Sequence, residues 1–355
     1  MSYHIITGTQ DFLESLRGKS ASFLLAGSVS KTCEIPHLSQ AGIPGKLPLT
    51  PTLDAEFITV KQVRSLQHIA STPSGIPTPA LITRAVHELK PFQSIEILDL
   101  GLEIKPKIEH FKIHEFDLSP SENITQHAHI DAFEVFQKGV AFAQNYEPQA
   151  DYTILAESVP AGTTTAMATA MALGYETTNC FSSSFKNAPQ SLKQQVVQQA
   201  LEHTTSNMDV FEKLSALSDN MIVFNAGFIL GLQATSHKLI LAGGTQMASV
   251  LLVVNSLLQT MGGELDGSKI ALCTTKWIAN DETSNIKALL EQLDFTLNAY
   301  SADFDFAKST SEVLKLYDQG EAKEGVGAGG ALIYGLINGL EAQSIVKKVE
   351  QLLHA

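Results

Sequence analysis

The sequence predicts an α/β fold with a mainly parallel sheet, and three observations carry that prediction. Short apolar runs of strand length recur along the chain, helical patterns fall between several of them, and glycine-bearing turns join the two. In order, 22–27, 95–100, 152–156, 239–242 and 269–273 read as strands, since each is an apolar run too short for a helix. Segments 132–143, 163–173, 191–202, 284–293 and 331–340 read as helices. The helix at 163–173 is built of small residues and closed by Gly174, and 313–320 is a helix-like stretch ending in Gly320. Residues 28–54 and 71–79 are broken by proline and glycine and read as long loops, of the kind that line binding sites or form surface contacts. The expected architecture is therefore a doubly wound, Rossmann-like sheet covered by helices, with a smaller helical domain from the chain ends. The expected division is 91–314 as a nucleotide-binding core and 1–90 with 315–355 closing over the site.

Composition narrows the function classes. Hydrophobic residues make up 44% of the 355 and charged residues 17%, which suits a large core and an interface between copies. The net charge of −13, with no basic cluster denser than Lys347-Lys348, argues against a nucleic-acid partner. Cys33, Cys180 and Cys273 have neither metal-ligand nor redox-motif spacing, and the N-terminus lacks a basic flank before a long apolar stretch, so a cytoplasmic location is expected. Residues 239–258 are uncharged and long enough to consider as a membrane span. Gly243-Gly244-Thr245-Gln246 divides them into a strand and a buried helix, and no membrane partner is expected.

Two carboxylates carry the chemistry. Glu157 ends the apolar run 152–156 and stands just ahead of Gly162-Thr163-Thr164-Thr165, which opens a helix. A strand, loop and helix in that order place the loop where open α/β sheets bind ligands, and amides at a helix start suit a phosphate. Thr163 could equally serve as a plain N-cap. Glu324 opens Glu324-Gly325-Val326-Gly327-Ala328-Gly329-Gly330, a carboxylate beside bare backbone that can project into a cleft. The same run fits the dinucleotide pattern G-x-G-x-x-G, but no strand precedes it, so NAD is not expected.

These motifs resemble the nicotinate-nucleotide:dimethylbenzimidazole phosphoribosyltransferases of cobamide assembly, and more closely a divergent branch of that family. The resemblance rests on Glu157 with Gly162 to Thr165, on Glu-Gly-x-Gly-Ala at Glu324, and on Leu241-Ala242-Gly243-Gly244-Thr245 before a long apolar helix. It implies that Glu324 is the general base. It further implies that Glu157, Gly162, Thr163, Thr164, Thr165, Gly243, Gly244, Gly325 and Gly327 line the phosphoribosyl site. The implied reaction moves phosphoribose from nicotinate mononucleotide to a benzimidazole or purine, in a homodimer and without a cofactor. Thr163 stands where the family has asparagine, and the loop after Glu157 is one residue longer and contains Pro160. The acceptor-contacting residues have no counterpart in these motifs.

Other chemistries fit less well. His127-Ala128-His129 with Asp131, and His110 with His114, have metal-ligating side chains but nothing in the sequence makes them converge, so no metal site is expected. The paired acids that pyrophosphate-sugar transferases use with magnesium are missing, and so is a Gly-x-Ser-x-Gly elbow. Another phosphoribosyl transferase or hydrolase, or an idle nucleotide-binding protein, remains the alternative.

Overall fold

A computed structural model describes residues 3–187 and 189–354. Its eight strands are β1 (Tyr3–Thr7), β2 (Ala21–Gly27), β3 (Ser94–Asp99), β4 (Lys112–Glu115), β5 (Tyr152–Ser158), β6 (Lys238–Ala242), β7 (Ile270–Thr275) and β8 (Asn298–Ala302). They form one sheet in the order β1-β8-β7-β6-β5-β2-β3-β4. Every pairing is parallel except β1 with β8. β2 and β5 are buried along their whole lengths, which is why they read as unbroken apolar runs: a parallel sheet is covered on both faces.

Alternate residues feed two cores. Leu24, Leu155, Leu241 and Leu272 face the helices of the middle of the chain, among them Ala132–Gln144, Gly162–Ala172, Asn220–Leu232 and Thr245–Met261. Phe23, Ile154, Ile240 and Cys273 face a second layer made from the chain ends, with Thr50–Val60, Ala80–Leu89, Ala328–Ile337 and Ala342–Leu353. Helices from the middle of the chain and from its ends thus cover the two faces of one sheet. β2 lies between β3 and β5 at its centre, and β1 closes its far edge. The chain-end helices form a layer on the sheet through Phe23, Ile154 and Ala242.

The expected strands are all present. The unexpected ones are short edge or polar segments: β4 is Lys-Ile-His-Glu and half-exposed, β1 is partly exposed, and β8 reads Asn-Ala-Tyr-Ser-Ala. The helix expected at 284–293 contracts to Ile286–Leu290, because the Thr283 and Ser284 hydroxyls turn back onto Asp281 and Asn285 caps the helix start. The helix expected at 331–340 begins earlier and spans Ala328–Ile337. The stretch before Glu324 is a helical turn, Glu312–Lys315, followed by a 3-10 turn that Gly320 ends at φ 89°.

The chain runs outward from β2 through β3 to β4, then returns to β5 on the other side of β2 and proceeds through β6 and β7 to β8. A crevice opens at the carboxyl ends of strands where the winding direction reverses, and here that point is between β2 and β5.

Candidate active site

At that switch point lies an open cavity. Glu157 and Ser158 from the end of β5, the turn after β6, the residues before Ala328–Ile337, and the two long loops all contribute to its wall. Glu157, Gly162, Thr163, Gly244, Glu324 and Gly325 line it; Thr164, Thr165, Gly243 and Gly327 stand behind it.

Glu157 is 3% exposed. Loss of water first, then the negative charges of Glu324, Asp219 and Asp54, push its pKa up to about 8 against the pull of the Val159 amide. Glu324 is pushed up to about 7 by burial, although four donors favour its charged form. Its Oε1 accepts from the amides of Gly325 and Gly329, both at 3.1 Å, and its Oε2 from the Thr275 amide at 2.9 Å and the Thr274 hydroxyl at 3.1 Å. The two acids therefore compete for a single negative charge near neutral pH.

The glycine run positions Glu324 by packing. Gly327, at φ 66°, sits where a Cβ would lie 2.6 Å from the Ala156 side chain, and a Cβ on Gly329 would lie 2.2 Å from the Thr274 carbonyl carbon. The start of Ala328–Ile337 thus rests directly on the strand ends, and its amides reach Glu324. Between Gly325 and Gly327, Val326 holds φ 52°, a left-handed conformation uncommon for a β-branched residue. Its N–H donates to the Glu157 carbonyl at 2.9 Å and its carbonyl accepts the Thr83 hydroxyl at 2.7 Å, which hold the strained turn in place.

The glycine-threonine turn is more self-occupied than the sequence suggests. The amides of Gly162 and Thr164 donate to the carbonyls of Val159 and Ala161, and the Thr165 hydroxyl donates to the Gly162 carbonyl and to Asp219. Gly162 is glycine because a Cβ there would lie 2.0 Å from Gln246 Oε1, an oxygen that is itself buried without a hydrogen-bond partner. Gly243 similarly makes room for the Met247 side chain.

Positive charge also lies in and behind the cavity wall. Lys323 and Asp281 form a 2.8 Å ion pair with both side chains 3% exposed. The Ser182 hydroxyl donates to the same carboxylate oxygen, and Lys193, also buried, donates to the Ser182 carbonyl at 2.7 Å. Burial and then the charge of Lys323 pull the Lys193 pKa down to about 7. Two ammonium groups thus face one carboxylate beside Ser182, Ser183, Ser184 and Thr245, all of which line the cavity together with Lys323.

Lys193, Lys323, Asp281 and Asp54 were not singled out from the sequence. Lys323 precedes Glu324 directly, a signal that was legible; the others are joined to the site only by tertiary contact. Both long loops do line the cavity, through Ser39, Ala41, Gly42, Thr50 and Asp54 and through residues from Ala70 to Pro79. The histidines lie elsewhere: His127 and His129 have ring centroids 4.4 Å apart with His203 beside them, and His114 lies 2.6 Å from Glu96. Among the described residues no group of three or more His, Cys, Asp or Glu side chains is arranged to hold a metal ion, and no helix is long and apolar enough to cross a membrane.

The chain is 35% identical to a UPF0284 protein of Sulfurisphaera tokodaii over 99% of its own length and 97% of that protein's. It belongs to the UPF0284 family. A relative from Methanocaldococcus jannaschii is 34% identical over 96% of this chain and 95% of its own. Residues 93–260 match a family model described as Phosphoribosyltransferase, which places this UPF0284 member among the phosphoribosyltransferases. Among solved structures, the nicotinate-nucleotide-dimethylbenzimidazole phosphoribosyltransferase of Thermus thermophilus shares the fold, with a TM-score of 0.59 at 14% identity. The match covers 96% of this chain and 86% of that one.

Proposed function

We propose that this chain transfers the phosphoribosyl group of nicotinate mononucleotide to a heterocyclic base, a benzimidazole or purine, giving nicotinate and an α-ribazole-type phosphate for cobamide nucleotide-loop assembly. The observation that carries the reading is a single cavity whose wall holds the carboxylates Glu157 and Glu324 together with Lys323 and its buried ion pair. A donor with a phosphate at one end and a cationic pyridinium at the other matches that polarity. The phosphate lies toward Lys323, Ser182 to Ser184 and Thr245, with Gly162, Thr163 and Gly244 forming the adjoining wall.

The pyridinium charge favours ionisation of the two carboxylates, which otherwise repel each other. One ring nitrogen of the acceptor then attacks ribose C1, and the C1–N bond electrons leave with nicotinate. Glu324 takes the N–H proton from the acceptor's other nitrogen, and ionised Glu157 stabilises the positive charge that develops on the sugar. For Glu324 to act, one of its four donors must give way to the acceptor N–H. Homodimer formation, a cytoplasmic location and closure of the chain-end segments over the site belong to the same proposal.

Nicotinate release in the presence of benzimidazole, 5,6-dimethylbenzimidazole or adenine, with and without excess chelator, tests it. Base-dependent release that survives chelation is expected. Strict magnesium dependence, or equal release with no base present, would overturn the proposal in favour of another transferase or a hydrolase.

A further inference from the structure

A third buried carboxylate faces the same cavity. Asp54, on the helix Thr50–Val60, is 1% exposed and lines the wall with Thr50, Thr78 and Ser158. Its Oδ1 accepts the Thr78 hydroxyl and its Oδ2 the Ser158 hydroxyl, both at 2.7 Å. A carboxylate has about four acceptor positions, so roughly two remain open. Burial raises its pKa to about 6 against those two hydroxyls. A buried charge with open acceptor positions in a cavity wall calls for a donor from whatever fills the cavity.

The position of Asp54 says which part of the ligand that is. Ser158 follows Glu157 directly, and Pro79, next to Thr78, faces Gly325, next to Glu324. Asp54 is thereby tied to the segments that carry both carboxylates, on the side closed by the two long loops. Ala41, Ala70, Ile76 and Pro77 on those loops offer apolar surface for a flat ring. A base presenting its reacting imidazole to Glu324 turns its remote ring toward that wall.

The geometry points to Asp54 as the residue that selects the acceptor: the pocket takes a planar base carrying an N–H or O–H donor on the ring remote from the reacting nitrogens, and disfavours one methylated on that edge. A methylated edge would fill the space and leave the acceptor positions of Asp54 unanswered. This inference rests on the transfer reading for the orientation of the base, so its test is kept apart from turnover.

Calorimetry with ribose 5-phosphate present to fill the phosphate side measures the binding of adenine, 5-hydroxybenzimidazole and 5,6-dimethylbenzimidazole without reaction. Wild-type protein is expected to bind the amino and hydroxy bases at least about tenfold more tightly than the dimethyl base. Asp54→Asn should narrow that ratio and Asp54→Leu abolish or reverse it. Should Asp54→Leu fail to fold, the wild-type ratio and Asp54→Asn decide alone. Equal or tighter wild-type binding of the dimethyl base, a loss in Asp54→Asn common to all three bases with the ratio unchanged, or no binding of any base would overturn the assignment. If the ratio behaves as expected while nicotinate release fails, the transfer reading falls and the selectivity of the pocket stands.

Discussion

The two sides of the cavity solve opposite electrostatic problems. On the acidic side Asp54, Glu157 and Glu324 share a space too dry for all three charges, and burial raises the pKa of each. On the basic side Lys193 and Lys323 share one aspartate, and burial lowers the pKa of Lys193. Each side thus carries an unbalanced charge, in opposite senses. A ligand that is cationic at one end and anionic at the other relieves both. The contrast teaches that burial unsettles charges of both signs around one cavity.

The strongest way to break this contrast is at Glu324. Glu324→Gln should lower turnover by about 10²-fold or more, measured at saturating acceptor, while nucleotide binding by calorimetry stays nearly intact. The variant should also melt earlier, because the carboxamide NH₂ would face donors that the carboxylate now accepts. Full activity in Glu324→Gln would remove Glu324 from the mechanism.

On the basic side the two lysines should separate. Lys323→Met removes the ammonium hydrogen-bonded to Asp281 and should cost stability by about 3–5 kcal/mol in chemical denaturation. Lys193→Met removes the second ammonium and the donor to the Ser182 carbonyl, so it should cost less, about 1–3 kcal/mol, while reducing nucleotide affinity severalfold through the displaced Ser182. If Lys193→Met binds the nucleotide as well as wild type does, the phosphate lies elsewhere.

Titration sharpens the comparison further. Glu157 and Glu324 have folded pKa values raised to about 8 and about 7, so the folded protein holds protons that the unfolded chain has already lost. Their contribution to stability is complete below the ordinary glutamate range and is lost as pH rises through those values. Lys193, lowered to about 7, acts oppositely and adds stability as pH rises above that point. Between pH 5 and 7 these carboxylates lower the melting temperature of the ligand-free protein as pH rises, against the opposite pull of His87, whose pKa burial lowers to about 4, so Glu157→Gln should shift the slope in that window toward rising stability.

The smallest effect belongs to the wall between the two sides. Gly162→Ala drives a methyl into the Gln246 side chain, whose flexible end can move, so nucleotide affinity should weaken only severalfold, and Gln246→Ala added to it should restore the loss. A block that Gln246→Ala does not lift would mean that Gly162 meets the ligand itself.

Much of the scaffold was legible because buried strands and capped helices leave local patterns. Ala21–Gly27 and Tyr152–Ser158 stand out as apolar runs, and Glu157 and Glu324 are marked by neighbouring glycines. Local pattern could not reveal what those glycines touch. The contact of Gly327 with Ala156 and of Gly162 with Gln246 arises only when distant segments meet. The same reason hid Asp54, whose partners lie 24 and 104 residues away, and the Lys323–Asp281 pair, 42 residues apart. The short edge strand Lys112–Glu115 escaped because its half-exposed, charged sequence resembles a loop.

The pairing of Tyr3–Thr7 with Asn298–Ala302 has a consequence for how the chain acquires its shape. β1 must wait for β8, nearly 300 residues later, and Ala21–Gly27 waits for Tyr152–Ser158 before both its edges are covered. Such long-range closures slow folding and leave apolar strand edges open during synthesis. A nascent or truncated chain that ends before residue 298 presents β1 without its partner and β7 with a bare edge. Such a chain is exposed to self-association in a way the finished sheet, closed by an antiparallel strand, is not.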